Sequence, residues 1–293
     1  MSPHPAPKNT VQDLAINLEE WNLDALPSSA DLPYDDGEPL ETNRHRIAMN
    51  ILIRQVQQAF PNRTDFYPGG NMFIYYSPHY LRNQDFRGPD FFVVTNVDGS
   101  YGRKSWVMWE EGGRLPDVIV ELLSDSTTKI DLGKKKDLYE QVFKTQDYYV
   151  FDPHDPTSLQ GWHLNSQGQY EALKANQQGW LWCETLGLWL GTWLGTFEKN
   201  ETCEWLRFYH RNGTLVPLPE EAALQQATQA QHQAEQAQHQ AEQERLKAQQ
   251  EQLRAEREQQ KAEQAQHQAD RQQQEIQRLR RLLEEKGINP DPM

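Results

Sequence analysis

The 293-residue chain predicts a mixed sheet in an α/β or α+β domain, followed by a long C-terminal helix. Three observations predict this class. Strand-length apolar runs are interleaved with two stretches of helical period. One run, Pro116-Asp117-Val118-Ile119-Val120-Glu121-Leu122-Leu123-Ser124, carries two carboxylates. From Glu220 to Lys286 the chain is nearly all Gln, Ala, Glu, Arg, Lys and His. The expected organisation is an N-terminal arm over residues 1–40, a folded domain over 41–219, a helical tail over 220–286 and a disordered end over 287–293. The residues ahead of the tail suffice for a full hydrophobic core.

The arm is rich in Pro and Asp, and Leu14, Ile16, Leu18, Trp21 and Leu23 suggest a strand or short helix in it. Glu41 to Phe60 predicts a helix: Ile47, Ile51, Leu52, Val56 and Phe60 form a stripe at helical spacing, and Pro61-Asn62 ends it. Phe73–Tyr76 predicts a strand, as does the run to Asn96 that Asp90 opens. Trp106–Trp109 predicts a short strand before an acidic Gly turn at 110–113. In the strand Pro116–Leu123, Asp117, Ile119, Glu121 and Leu123 share one face, because side chains alternate. A polar loop over 124–131 precedes a helix over Gly133–Phe143, with Leu138, Tyr139, Val142 and Phe143 spaced for one face. Tyr148–Phe151 is a strand ending at the turn Asp152-Pro153. Gly161–Leu164 and Tyr170–Leu173 suggest a hairpin. The Trp-rich stretch 180–197 contains Glu184 and three glycines and barely reaches spanning length. Short aromatic strands or turns packed on a core are expected there, not a membrane span.

In the tail, Ala227, Ala234, Ala241, Ala248, Ala255, Ala262, Ala269, Ile276 and Leu283 recur every seven residues. A strict seven-residue repeat favours a left-handed supercoil. The companion positions are Ala230, Ala237, Glu244, Glu251, Glu258, Ala265, Gln272 and Leu279. Alanine buries little area, so the expectation is a weak coiled coil, strongest near Ile276, Leu279 and Leu283, capped by Gly287.

The formal net charge is −14, with 29 acids against 19 bases before Glu220. That balance argues against a nonspecific nucleic-acid coat, which needs Lys and Arg on phosphates, but not against a nuclease whose metal offsets carboxylates. Cys183 and Cys203 lack a CxxC pattern and read as reduced thiols. The N-terminus lacks the basic start and apolar core of a signal peptide, so a cytoplasmic location is expected.

A carboxylate within an apolar strand is costly to bury unless a metal ion, a lysine or a proton accompanies it. Lys134, Lys135 and Lys136 follow. Asp90 and Glu121 on neighbouring strands could converge on Mg²⁺, with Lys135 reaching the same place; that chemistry hydrolyses phosphodiesters. In the competing reading, Asp90 and Asp117 are local caps after Pro and Glu121 is simply paired to a lysine. Both readings stay open at this level.

The order Gly88-Pro89-Asp90, Pro116-Asp117-Val-Ile-Val-Glu121-Leu-Leu-Ser124-Asp-Ser126-Thr127, Asp131-x-Gly133-x-Lys135-x-x-x-Tyr139 and Tyr148-Tyr149-Val-Phe-Asp152-Pro153 resembles the Uma-two-type family. These are restriction-endonuclease-like proteins of the PD-(D/E)XK superfamily, and the resemblance spans Glu41 to Leu194. It implies a central mixed sheet flanked by helices. It implies Asp90 and Glu121 as metal ligands, Glu41 as a glutamate beside the site, and Mg²⁺ as cofactor with Mn²⁺ as a substitute. The superfamily's lysine two residues after the acid is Leu123 here, so the resemblance assigns that role to Lys135, with Lys134 and Lys136 as neighbours. Asp117 either shares the acidic cluster or orders the strand entry. His45 reads as a surface helix histidine. His232, His239 and His267 read as part of the tail's solvated repeat, and Tyr139 and Tyr149 as core aromatics. Ser124 and Ser126 lack a suitably spaced histidine.

The resulting expectation is a Mg²⁺-dependent DNA endonuclease acting on DNA, with no membrane partner, forming a homodimer through the domain or the tail. The alternative is a catalytically inactive nuclease-like scaffold working through its coiled-coil tail.

Overall fold

The computed structural model describes residues 26–34, 42–77, 88–124, 127–198 and 202–287. The arm's apolar pattern, Glu41, Ser126 and the end beyond Gly287 lie outside the described residues. The chain divides into two compact units, residues 1–222 and 223–293.

In the first unit, helix α1 runs Asn43–Ala59, and its N-cap Thr42 accepts a hydrogen bond from His45 N through its side chain. The expected stripe is the buried face: Ile47, Ala48, Ile51, Leu52 and Val56. His45 corrects an expectation. It is only 3% exposed, with Nδ1 2.8 Å from Thr42 Oγ1, and is no surface residue. Gln55, also buried, receives Phe208 N at 2.9 Å and donates to Val216 O at 2.5 Å, tying α1 to the chain ahead of the tail.

Eleven strands are described: β1 Phe66–Gly69, β2 Ile74–Tyr75, β3 Phe91–Thr95, β4 Trp106–Val107, β5 Val118–Leu122, β6 Asp147–Asp152, β7 Asp155–Leu164, β8 Tyr170–Ala172, β9 Leu181–Cys183, β10 Leu188–Gly195 and β11 Cys203–Tyr209. The central sheet has the order β1-β3-β5-β6-β7-β8. All its pairs are antiparallel except β5 with β6. That parallel pair requires a crossover, and the helical stretch over 128–143 supplies it. A second sheet, β11-β10-β9, is antiparallel, and β2 pairs parallel with β4.

Strand alternation divides the core between the two faces of the central sheet. Phe91, Val93, Val118, Val120, Leu122, Tyr149 and Phe151 pack with α1 and with β9 to β11. Phe92, Val94, Ile119, Leu123, Tyr148 and Val150 pack with Leu138, Tyr139, Val142 and Phe143 of the crossover helix. The mixed α/β class is therefore the observed one. The aromatic stretch 180–197 forms β9 and β10, and among the described residues no helix is long and apolar enough to cross a membrane.

Three elements depart from the sequence reading. The loop over 124–131 is shorter than expected, because helical turns begin at Thr128. β1 escaped notice because Pro68 and Gly69 weaken its strand signal; it is tolerated at the sheet edge. β11 carries Arg207, fully buried, whose terminal guanidinium nitrogens donate to Glu221 at 2.7 Å and Val216 O at 3.2 Å. Those tertiary partners, with the Trp193 ring centroid 5.0 Å from the guanidinium, let a buried strand hold an arginine.

The second unit consists of the helix Pro219–Glu285, which begins just ahead of the unit boundary and has no buried residue. Hydrogen bonds four residues apart, such as Gln231 to Glu235, Gln252 to Glu256 and Gln259 to Glu263, recur along it. Gly287 has φ +75° and donates its N–H to Glu284 O, which is the expected left-handed cap.

Candidate active site

Asp90 immediately precedes β3. In the β3–β5 ladder Phe91 faces Val120 and Phe92 faces Ile119. One further step of that register sets Asp90 opposite Glu121. Both lie on the face shared by Phe92 and Ile119, under the crossover helix. Asp90 Oδ2 accepts a hydrogen bond from Leu122 N at 2.7 Å, which fixes one carboxylate oxygen beside the strand that bears the other acid.

The crossover helix mixes α-turns at Thr128–Ile130 and Lys136–Leu138 with π-turns at Asp131–Lys135 and Tyr139–Phe143. In a pure α-helix each residue turns about 100°, so positions four apart drift about 40° around the axis per step. The wider π-turns wind less per residue and offset that drift. Asp131, Lys135 and Tyr139 therefore stay on one side, toward Glu121.

Glu121 is 1% exposed. Its Oε1 accepts from the Tyr139 hydroxyl at 2.7 Å, and its Oε2 lies 3.1 Å from Lys135 Nζ. The same ammonium lies 2.8 Å from Oδ1 of Asp131, another buried carboxylate. The Tyr148 hydroxyl donates to the Asp131 carbonyl at 2.8 Å and anchors that turn. Two carboxylates thus contact one ammonium, and the Asp90 charge acts on it from farther away. Burial, and then the Glu121 charge, raise Asp90 well above the usual carboxylate range. Burial raises Glu121 too, although Lys135 opposes this. Lys135 is itself raised: burial works against its charge, but Glu121 and Asp131 outweigh it.

The structure thus brings together Asp90, Glu121 and Lys135. Lys134 is exposed, and Lys136 Nζ lies 4.2 Å from the Trp162 ring centroid, so Lys135 is the lysine of the cluster. Asp117 lies at the other end of β5. It accepts from Thr95 N at 2.7 Å, from Thr95 Oγ1 at 2.8 Å and from Arg114 at 2.9 Å, so it orders the strand entry. Asp131 and Tyr139 are cluster members that sequence reasoning did not assign. Their signal was the four-residue spacing with Lys135. Cys183 and Cys203 are not joined in a disulfide, and burial with the Asp147 charge pushes the Cys183 thiol up, away from reactivity.

Among the described residues no group of three or more His, Cys, Asp or Glu side chains is placed to hold a metal ion by itself. The residues nonetheless fit a hard divalent cation. Glu121 Oε2 and Asp131 Oδ1 are buried, hard oxygen donors that meet the Lys135 ammonium at 3.1 and 2.8 Å. Mg²⁺ commonly takes one or two carboxylates and completes its shell with water and phosphate.

The model of the Uma2 family, described as "Putative restriction endonuclease", matches residues 17–195, more than half of the chain. A solved structure, a "putative nuclease belonging to DUF820" from Anabaena variabilis ATCC 29413, is similar at 12% identity and a TM-score of 0.37. The match covers 52% of this chain and 81% of that one. No curated protein matches the chain.

Proposed function

This chain belongs to the Uma2 family, and on that premise we propose that it is a divalent-metal-dependent endonuclease hydrolysing DNA phosphodiesters at Asp90, Glu121 and Lys135. The observation that carries the reading is the convergence of a part-buried aspartate, a buried glutamate and a lysine from three separate segments of the chain. Mg²⁺, or Mn²⁺ in its place, held by Asp90 and Glu121 would supply Lewis-acid polarisation of the phosphate and a more acidic bound water.

The remaining work falls to the chain's own groups. Leu122 N–H and the Tyr139 hydroxyl each hold one oxygen of an acid, which orients Asp90 and Glu121. Lys135 stays protonated, because its carboxylate neighbours raise its pKa. It therefore acts as a fixed positive charge that offsets charge developing on the phosphate, and does not serve as a base. Glu41, at the residue before the α1 cap, is proposed as a fourth acidic participant on the family resemblance. A cytoplasmic location and a homodimer formed through the domain or the tail seam near Ile276, Leu279 and Leu283 are part of the same proposal.

A second reading has one observation in its favour: Lys135 compensates Glu121 with no metal involved. On that reading the domain is an inactive scaffold. The test is nicking of supercoiled plasmid by purified protein with Mg²⁺ or Mn²⁺. Wild type should nick, and Glu121→Ala should fall to background. Equal nicking by both would mark a contaminant and overturn the assignment.

A further inference from the structure

We infer that Lys135 is a built-in counter-cation that competes with the metal for Glu121, and that Asp131 is the positioning residue that retains the ammonium once the Glu121 contact is given up. This rests on the proposed metal-dependent reading and deepens it.

Glu121 has two oxygens, and Tyr139 occupies Oε1. The remaining oxygen, Oε2, is the one Lys135 touches, at 3.1 Å. A divalent cation and the ammonium therefore call on the same atom. The ammonium has a second seat, at 2.8 Å from Asp131 Oδ1, four residues earlier on the same helix. The contact to Glu121 is the longer of the two, so it is the one the ammonium gives up, while the shorter contact to Asp131 is kept. The seat itself is fixed, because Asp131 is buried and its carbonyl receives the Tyr148 hydroxyl. The ammonium meets both acids at once, so leaving Glu121 while keeping Asp131 needs only a small rotation of the flexible lysine stem, which is exposed over 19% of its side chain.

The arrangement has two consequences. Before metal arrives, Lys135 prevents Glu121 from standing as an uncompensated buried charge, which would be strongly destabilising. When Lys135 leaves Glu121, it remains beside the cluster, held where it can meet a substrate phosphate. Metal affinity is lower than the carboxylates alone would give.

The experiment is a calorimetric titration of the full chain with Mn²⁺, with circular dichroism melts confirming that each variant is folded. Lys135→Met should bind Mn²⁺ about tenfold more tightly than wild type, a coupling of the size seen between interacting sites, while losing nicking. Lys135→Gln should behave in the same direction and serves if the Met variant does not fold. Asp131→Asn should weaken Mn²⁺ binding in the wild-type background, because the ammonium then has only Glu121. It should have no effect in the Lys135→Met background if Asp131 acts through the lysine. If both lysine variants bind Mn²⁺ no more tightly than wild type, the competition is refuted, although wild-type uptake would leave the metal reading standing. If Asp131→Asn weakens binding equally in both backgrounds, Asp131 is a ligand and not a seat for the lysine. If wild type and both lysine variants take up no Mn²⁺, the metal reading itself fails.

Discussion

Replacing Tyr139 by Phe removes one oxygen from a fully buried ring and nothing else. That oxygen donates to Glu121 Oε1 at 2.7 Å. Hydrogen bonds to charged groups contribute about 1.5–3 kcal/mol, and an acceptor left unsatisfied in the interior costs a similar amount. The packing of Tyr139 against Phe143 and Tyr148 survives, since the ring remains. A loss of about 2 kcal/mol follows, or about 4–8 °C in melting temperature for a domain of 150–250 residues. The comparison variant is Tyr148→Phe, whose hydroxyl serves a neutral acceptor, the Asp131 carbonyl, and should contribute nearer 1 kcal/mol. The two variants should also differ in pH dependence. Glu121 has a folded pKa raised by burial, so the native state binds its proton more tightly than the unfolded chain does. Stability therefore falls as pH rises from the unfolded value toward the folded one. Tyr139 holds that rise in check, so Tyr139→Phe extends the fall to higher pH, while Tyr148→Phe leaves its range nearly unchanged. Thermal melts followed by tryptophan fluorescence, with chelator present and at several pH values, measure both quantities. Equal costs for the two variants, or parallel pH profiles, would refute a charge-assisted bond to Glu121.

Asp90→Asn should stabilise the metal-free protein at pH 7–8, because burial raises the Asp90 pKa and the amide carries no charge to bury; the gain vanishes as pH falls below the unfolded aspartate value, and chelator-treated melts measure it. The same substitution should abolish Mn²⁺-dependent nicking. Asp117→Ala should cost about 2–3 kcal/mol through Thr95 and Arg114, yet leave nicking per folded molecule unchanged; lost activity in folded protein would move Asp117 into the site. In sedimentation equilibrium, full-length protein should be dimeric, and Leu279→Glu, placed among the half-exposed Ile276, Leu279 and Leu283, should make it monomeric if the tail seam forms the dimer.

Much of this was legible in the chain. The α1 stripe, the apolar run of β5, the β7–β8 hairpin and the tail repeat are local periodicities, and local periodicity survives translation into structure. The end of α1 could be read because Pro61 stops it, whereas its start was set at Glu41 and lies at Asn43, behind the Thr42 cap. His45 misled, because a histidine beside a helix start gives no sign of being buried. β1 and β11 were hidden for opposite reasons: one has Pro and Gly where pairing is tolerated at an edge, the other a buried Arg207 that Glu221, the Val216 carbonyl and the Trp193 ring make acceptable. Asp131 read as the end of a loop, since nothing in a sequence announces π-turns.

By itself the sequence determined which residue types could do chemistry here: an acid opening one strand, an acid within another, and a lysine run on the next helix. It also determined the long polar helix, because a seven-residue repeat of alanine needs no partner to be read. The tertiary structure alone decided which lysine faces the acids, that Asp117 belongs to the strand entry, and that Asp131 and Tyr139 complete the cluster. The reason is geometric. Strand register sets Asp90 across from Glu121, and widened helical turns bring residues four apart onto one line above them, and both are properties of chain segments held against each other.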